Sequence, residues 1–271
     1  MEPPFGMPAA PGPDEFVSVL RRRGLYPQQS LSPSGGMPAH HAEVPAQTHG
    51  TTILAFKYAD GVIVAGDRRA TAGNLLIYDR ADKVLEIDRY SLMAIAGVPA
   101  TAWEMARVLE HSFQFYRRSQ LQEMSLDGKV RALSKLLRDN LGYVMQGVGV
   151  VVPIFATFDR EAEVPRLYFY DAMGAQFEAA DFAATGSGSA AVRSILHFQN
   201  TWGEKELRRM KANDAVVLAL RALETAAASD TATGGVDRRA DIYPIVKTIT
   251  DAGITTLSES KLAKIFQAKQ A

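Results

Sequence analysis

From Thr52 onward, blocks of strand-like residues alternate with pairs of helix-like segments, and that order is the strongest constraint on what this chain can fold into. Thr52-Ile53-Leu54-Ala55-Phe56-Lys57-Tyr58 reads as a strand, Ala59-Asp60-Gly61 as a turn, and Val62-Ile63-Val64-Ala65-Gly66 as the hairpin partner. Residues 83–87 and 92–96 form two more strands around the turn Asp88-Arg89-Tyr90. The apolar period then changes to three and four over residues 100–120 and 127–145, which predicts two helices. Strands resume over 150–158, 166–171 and 179–184, followed by helices over 189–202 and 213–228. Strands over 242–250 and near Ile254 lead into a last helix from Ser258. A doubly wound parallel sheet needs single strands and helices in alternation. Strand blocks separated by helix pairs predict antiparallel sheets stacked face to face with helices outside, an α+β fold.

The composition describes one domain of ordinary size with an appendage: 271 residues, a formal net charge of +0, no cysteine and 47% hydrophobic residues. Without cysteine there is no disulfide framework, thiolate metal site or thiol nucleophile. The balanced charge points away from nucleic acid and membrane surfaces. Met1-Glu2-Pro3-Pro4 does not begin a secretory signal, and no apolar run is long enough to span a bilayer, so a cytoplasmic protein is expected. The first fifty residues stand apart, with 9 of the 13 prolines. Pro-, Gly- and Ser-rich stretches such as 27–38 cannot bury enough apolar surface to offset chain entropy. Only residues 14–25 carry a helical pattern, capped by Asp14, with Arg21-Arg22-Arg23 as a solvated face. His40, His41 and His49 lack a partner at ligand spacing, so no metal site is expected. The expected division is a detachable segment over 1–50 and a domain over 51–271.

Gly50-Thr51-Thr52 lies at that boundary and reads as a self-cleavage junction. A threonine hydroxyl is a poor nucleophile until a base takes its proton, and a newly exposed α-amino group on the same residue supplies one. An unperturbed α-amino group titrates at about 7.7 to 8.0, which suits base work at neutral pH. Gly50, lacking Cβ, lets the chain bend and leaves its carbonyl open to Thr51 Oγ. Asp67, in Gly66-Asp67-Arg68-Arg69-Ala70-Thr71, ends the strand that pairs with the Thr51 strand, so its carboxylate can lie beneath the nucleophile and hold a cation there. Lys83 is the natural cation, since a buried lysine beside an aspartate can lower a neighbouring hydroxyl's pKa and shuttle its proton. Gly97 follows Ile95 at period two and offers a free N–H as an oxyanion donor. Thr185-Gly186-Ser187-Gly188-Ser189 lacks the Gly-Lys-Ser/Thr ending of a phosphate loop, which leaves Ser187 to hydrogen-bond the Thr51 amine. Asp230 and Thr233, in Asp230-Thr231-Ala232-Thr233-Gly234-Gly235, can position the same amine.

Taken together, these motifs, with Ile95-Ala96-Gly97, resemble a proteasome β subunit of the bacterial, actinobacterial type, over residues 50–250. The resemblance implies an N-terminal-nucleophile hydrolase with a four-layer αββα sandwich, two antiparallel sheets between helical layers. It implies heptameric β rings stacked with rings of α subunits, an unfolding ATPase acting through the α ring, and polypeptide substrates. It also implies Thr51 as nucleophile, Asp67 and Lys83 as the groups that tune it, Ser187, Asp230 and Thr233 around its amine, and Gly97 as the oxyanion donor. No cofactor is implied. Thr233 departs from the serine usual in the family: the hydroxyl is kept, but a methyl restricts its rotamers.

By the same motif alignment, Ala70, Ala81, Leu85 and Ile95 should line the pocket for the residue before the cut bond, with the main chain near Thr71 and Gly97 receiving extended peptide. An uncharged pocket cannot compensate a charged side chain, so cleavage after large apolar residues is expected. The alternatives are the simpler proteasome-related bacterial peptidase, which usually has glycine and glutamine in place of Arg68-Arg69, and a non-catalytic ring subunit, which would lack the threonine at the strand start. A histidine-dependent serine hydrolase would have to use His111 or His197, both in helical stretches.

Overall fold

A computed structural model describes Ser18 and Val19 and residues 50–72 and 75–268. The expectations for the helix over 14–25 and for His40, His41 and His49 lie outside the described residues, apart from Ser18 and Val19, which are helical. Within the domain, β1 (Thr52–Tyr58), β2 (Gly61–Gly66), β10 (Phe182–Gly186), β11 (Ile245–Thr250) and β12 (Gly253–Thr256) build one antiparallel sheet in the order β10-β1-β2-β11-β12. The second antiparallel sheet runs β5-β6-β7-β8-β9, from β5 (Val84–Asp88), β6 (Ser91–Ala94), β7 (Ile154–Asp159), β8 (Val164–Tyr170) and β9 (Gln176–Glu178). A separate hairpin pairs β3 (Ala70–Ala72) with β4 (Leu75–Tyr78).

Strand alternation explains the layering. Every residue of β1 and β2 is buried, because both faces of their sheet are covered. Leu54, Phe56 and Tyr58 pack against α4 (Ser189–Trp202), α5 (Ala212–Ser229) and α6 (Glu259–Ala268), while Ile53 and Ala55 point the other way and meet Val84, Leu92, Ala94 and Ile154 of the second sheet. On the far side of that sheet, Met93 and Phe155 pack against α1 (Pro99–Gln120) and α2 (Leu126–Asp139). Three apolar layers therefore hold four structural layers, the αββα sandwich expected from the strand blocks.

The boundaries that differ have local causes. The helix expected over 127–145 breaks at Asn140, which caps α2 and whose side chain donates to the Gly149 carbonyl at 2.7 Å; a short helix α3 (Leu141–Val144) follows. β7 starts after Pro153, which has no N–H to give to a sheet ladder. The strand expected over 179–184 starts only at Phe182, as β10, because residues 179–181 carry the chain from the edge of one sheet, where β9 ends at Glu178, to the edge of the other. The β3–β4 hairpin is not expected from the sequence; all four residues of β4 are exposed, so no apolar–polar alternation marks it.

Candidate active site

The end of β2 returns beside the start of β1, and reciprocal bonds fix the two: Asp67 N–H donates to the Thr52 carbonyl at 3.1 Å, and Thr52 N–H to Asp67 Oδ1 at 2.8 Å. Asp67 is fully buried, and each of its oxygens accepts two hydrogen bonds. Oδ1 takes Thr52 N–H and the Lys83 ammonium, both at 2.8 Å; Oδ2 takes the N–H groups of Arg69 at 2.9 Å and Gly234 at 3.0 Å. Lys83, 5% exposed just before β5, also donates to the Arg69 carbonyl at 2.5 Å. Burial pushes its ammonium below the usual lysine range, with help from the nearby Arg69 charge, while Asp67 pulls the other way. A lysine so held is fixed in place and closer to deprotonation than a surface one.

A second set of bonds lies on the opposite flank of the strand start. The N–H of Ser187 donates to the Thr51 carbonyl at 3.0 Å, which ties the loop between β10 and α4 to the junction. That loop reaches so close that a Cβ on Gly186, at φ +100°, would lie 1.7 Å from the same carbonyl oxygen. Ser187 Oγ and Thr233 Oγ1 each donate to Asp230 Oδ2 at 2.5 Å. Burial works to raise the Asp230 carboxyl, but these two hydroxyls, Ala232 N–H and the Arg69 charge together hold it below the usual carboxylate range.

Thr233 sits differently from the sequence reading, which aims it at the Thr51 amine. With the Gly50–Thr51 peptide intact, its hydroxyl lies 2.6 Å from Thr52 Oγ1. Donor counting fixes the direction. Thr233 spends its one proton on Asp230, so Thr52 must donate to Thr233, and Thr52 Oγ1 in turn accepts from Gly188 N–H at 2.9 Å. The sequence reading omits Thr52, although a signal exists: period two puts it on the face of Leu54 and Phe56, where a fully buried hydroxyl needs partners. Thr52→Val should keep the shape but orphan Gly188 N–H, lowering stability by about 1–3 kcal/mol. We expect about a tenfold fall in peptide turnover, as for the loss of about 1.4 kcal/mol of orientation, and recovery in Thr52→Ser; melting temperature and kcat measured on the same preparations check both.

Thr51, 4% exposed, opens with Lys83 and Gly97 onto a cavity of about 400 Å³. Ala70, Thr71, Ala81 and Ile95 line it as the sequence suggests. Leu85 does not: it packs on the α1 side of its sheet, against the apolar layer under the helices. The remaining wall comes from Ile77 and Tyr78 of β4 and from Val98, Pro99, Ala100 and Trp103 at the start of α1, none of which the sequence reading includes. Gly97 lies beyond the end of β6, bridged to Val151 at φ +110°, where a Cβ would come within 2.0 Å of the Val150 carbonyl oxygen; only glycine fits. Gly50 is buried against Ala232, and a Cβ on it would lie 1.8 Å from the Ala232 methyl.

The family described as Proteasome subunit matches residues 47–241, most of the domain and its site. The chain belongs to the proteasome subunit family. It is similar to Proteasome subunit beta 2 of Thermomonospora curvata, 38% identical over 97% of this chain and 91% of that protein. It is also similar to Proteasome subunit beta of Streptomyces griseus, 36% identical over 97% of this chain and 90% of the relative. The subunit of the same name from Acidimicrobium ferrooxidans is 36% identical over 94% and 88%. Among the described residues, no helix is long and apolar enough to cross a membrane.

Proposed function

We propose that this chain is a self-processing threonine peptidase, the β subunit of a cytoplasmic proteasome core particle. The observation that carries the reading is the buried Lys83, paired with Asp67 behind it and opening, with Thr51, onto an apolar cavity. In the first step Thr51 Oγ attacks the Gly50 carbonyl, the C–N bond breaks as the chain shifts from nitrogen to oxygen, and water hydrolyses the ester. Residues 1–50 leave as the propeptide, and Thr51 gains a free α-amino group. That amine is the general base of the mature enzyme, taking the Thr51 hydroxyl proton as Oγ attacks a peptide carbonyl. Lys83 stabilises the developing alkoxide, with Asp67 holding it in place. The Gly97 N–H receives the oxyanion. Ser187, Asp230 and Thr233 orient the new amine once the junction is cut.

Side chains entering the cavity meet Ala70, Ala81, Ile95, Ile77 and Trp103, which favours cleavage after large apolar residues. No cofactor is required by this chemistry. Heptameric rings of the subunit stacked with α rings would enclose the sites, so substrates are unfolded polypeptides delivered by a ring ATPase through the α ring. N-terminal sequencing of the mature subunit from an active assembly is expected to begin at Thr51; any other start in an active particle overturns the mechanism.

A further inference from the structure

Among the described residues four lysines are buried: Lys57, Lys83, Lys129 and Lys247. Three of them have a carboxylate within 3.0 Å, namely Asp67 for Lys83, Asp88 for Lys129 and Glu86 for Lys247. Lys57 has none: among the described residues no hydrogen bond or ion pair ends on its ammonium, although the residue is only 6% exposed. Its position makes this costly. Period two along β1 turns Lys57 to the face that carries Ile53 and Ala55 into the apolar layer between the sheets, where an uncompensated cation is unfavourable.

The ammonium is not sealed in. Lys57 lines an open cavity of about 510 Å³ at the edge of the sandwich, far along β1 from Thr51, together with Val164, Pro165, Arg166, Glu178 and Arg208. The nearby carboxylates are already engaged: Glu178 accepts from Arg166 at 2.9 Å, and Asp181 from Arg208 at 2.5 Å. The cavity thus gathers three cations, and the innermost is the one left over. Burial pushes Lys57 below the usual lysine range, and Arg208 and Arg166 push the same way, against Glu178 and Asp181. A bound anion would reverse that balance.

We propose that this cavity is a binding site for a single small oxyanion, with the Lys57 ammonium as the central contact and Arg166 and Arg208 at its rim. Phosphate in solution and a carboxylate projected by a neighbouring subunit offer the same chemistry: two or three acceptor oxygens on one negative centre.

The test uses the full chain and inorganic phosphate, compared with sodium chloride at matched ionic strength. At phosphate about tenfold above its Kd, a chain of this size should melt about 3 to 6 °C higher than in chloride. Lys57→Met, which fills the same volume without charge, should lose that phosphate-specific rise, whereas Lys57→Arg should keep most of it. If Lys57→Met does not fold, phosphate titration calorimetry of Arg208→Gln, a rim change that leaves the buried lysine alone, should still show weakened binding. The two sources separate in the assembled particle: phosphate stabilises it as well if the ligand is a free ion, and only the isolated chain if a neighbour's carboxylate fills the site on assembly. No phosphate-specific effect on the isolated chain, or an equal effect in Lys57→Met, overturns the proposal.

Discussion

Thr51→Ala is expected to abolish peptide hydrolysis and to leave residues 1–50 attached, while the subunit still folds and assembles. The substitution removes a hydroxyl and a methyl from one residue at the wall of the cavity, so it disturbs little packing. The anchors of the junction survive it: Ser187 N–H reaches the residue 51 backbone carbonyl, and Asp67 reaches Thr52, neither through the Thr51 side chain. On the proposed mechanism chemistry should lose everything, because the same oxygen would attack Gly50 during processing and the substrate afterwards. Activity should fall to background, at least about 10⁴-fold, since losing a nucleophile removes the covalent route altogether. Intact mass of the assembled subunit and hydrolysis of an apolar fluorogenic peptide decide the matter; retained turnover would put the nucleophile elsewhere.

Lys83→Arg is expected to cost at least about 10²-fold in turnover, the low end for acid–base catalysis. The change keeps the positive charge beside Asp67 but replaces a compact ammonium, already displaced toward deprotonation by burial, with a planar guanidinium that does not deprotonate. The ammonium also occupies a tight position, shared between Asp67 Oδ1 and the Arg69 carbonyl, which a longer forked group cannot reproduce. Because processing can fail in this variant, the assay should use chains with Thr51 exposed by another route. Fully assembled Lys83→Arg particles that hydrolyse peptide like the parent would reduce Lys83 to a source of charge.

The sandwich is legible in the sequence because β1 and β2 read as short apolar runs joined by a turn at Asp60-Gly61 and the helix pairs interrupt the strand blocks in the right places. It becomes less legible where one residue decides an element's end, as at Asn140 and Pro153, or where the chain changes sheets after β9, since periodicity records which face is buried and not which sheet owns the strand. In the site, Asp67 can be read from the end of β2, because adjacent antiparallel strands bring their ends together, whereas Lys83 enters from the start of β5 in the facing sheet. Thr52 escapes for the opposite reason. Its role depends on Thr233, 181 positions away, and on which of two hydroxyls holds the shared proton, a matter of three-dimensional donor counting. The cavity wall from β4 and α1 escapes for lack of any local pattern, and Leu85 is assigned to it by motif although its strand turns that side chain to the helix layer.

The approach of Gly50 to the Ala232 methyl bears on how freely a leader can vary. In the proposed cleavage the folded domain inspects the residue immediately before the cut bond, since any side chain there would overlap Ala232. The inspecting group belongs to the loop that also carries Asp230 and Thr233, so on that reading the folded domain itself helps to index the cut. On that reading, a leader grafted at this boundary has to end in glycine to be removed at the same bond.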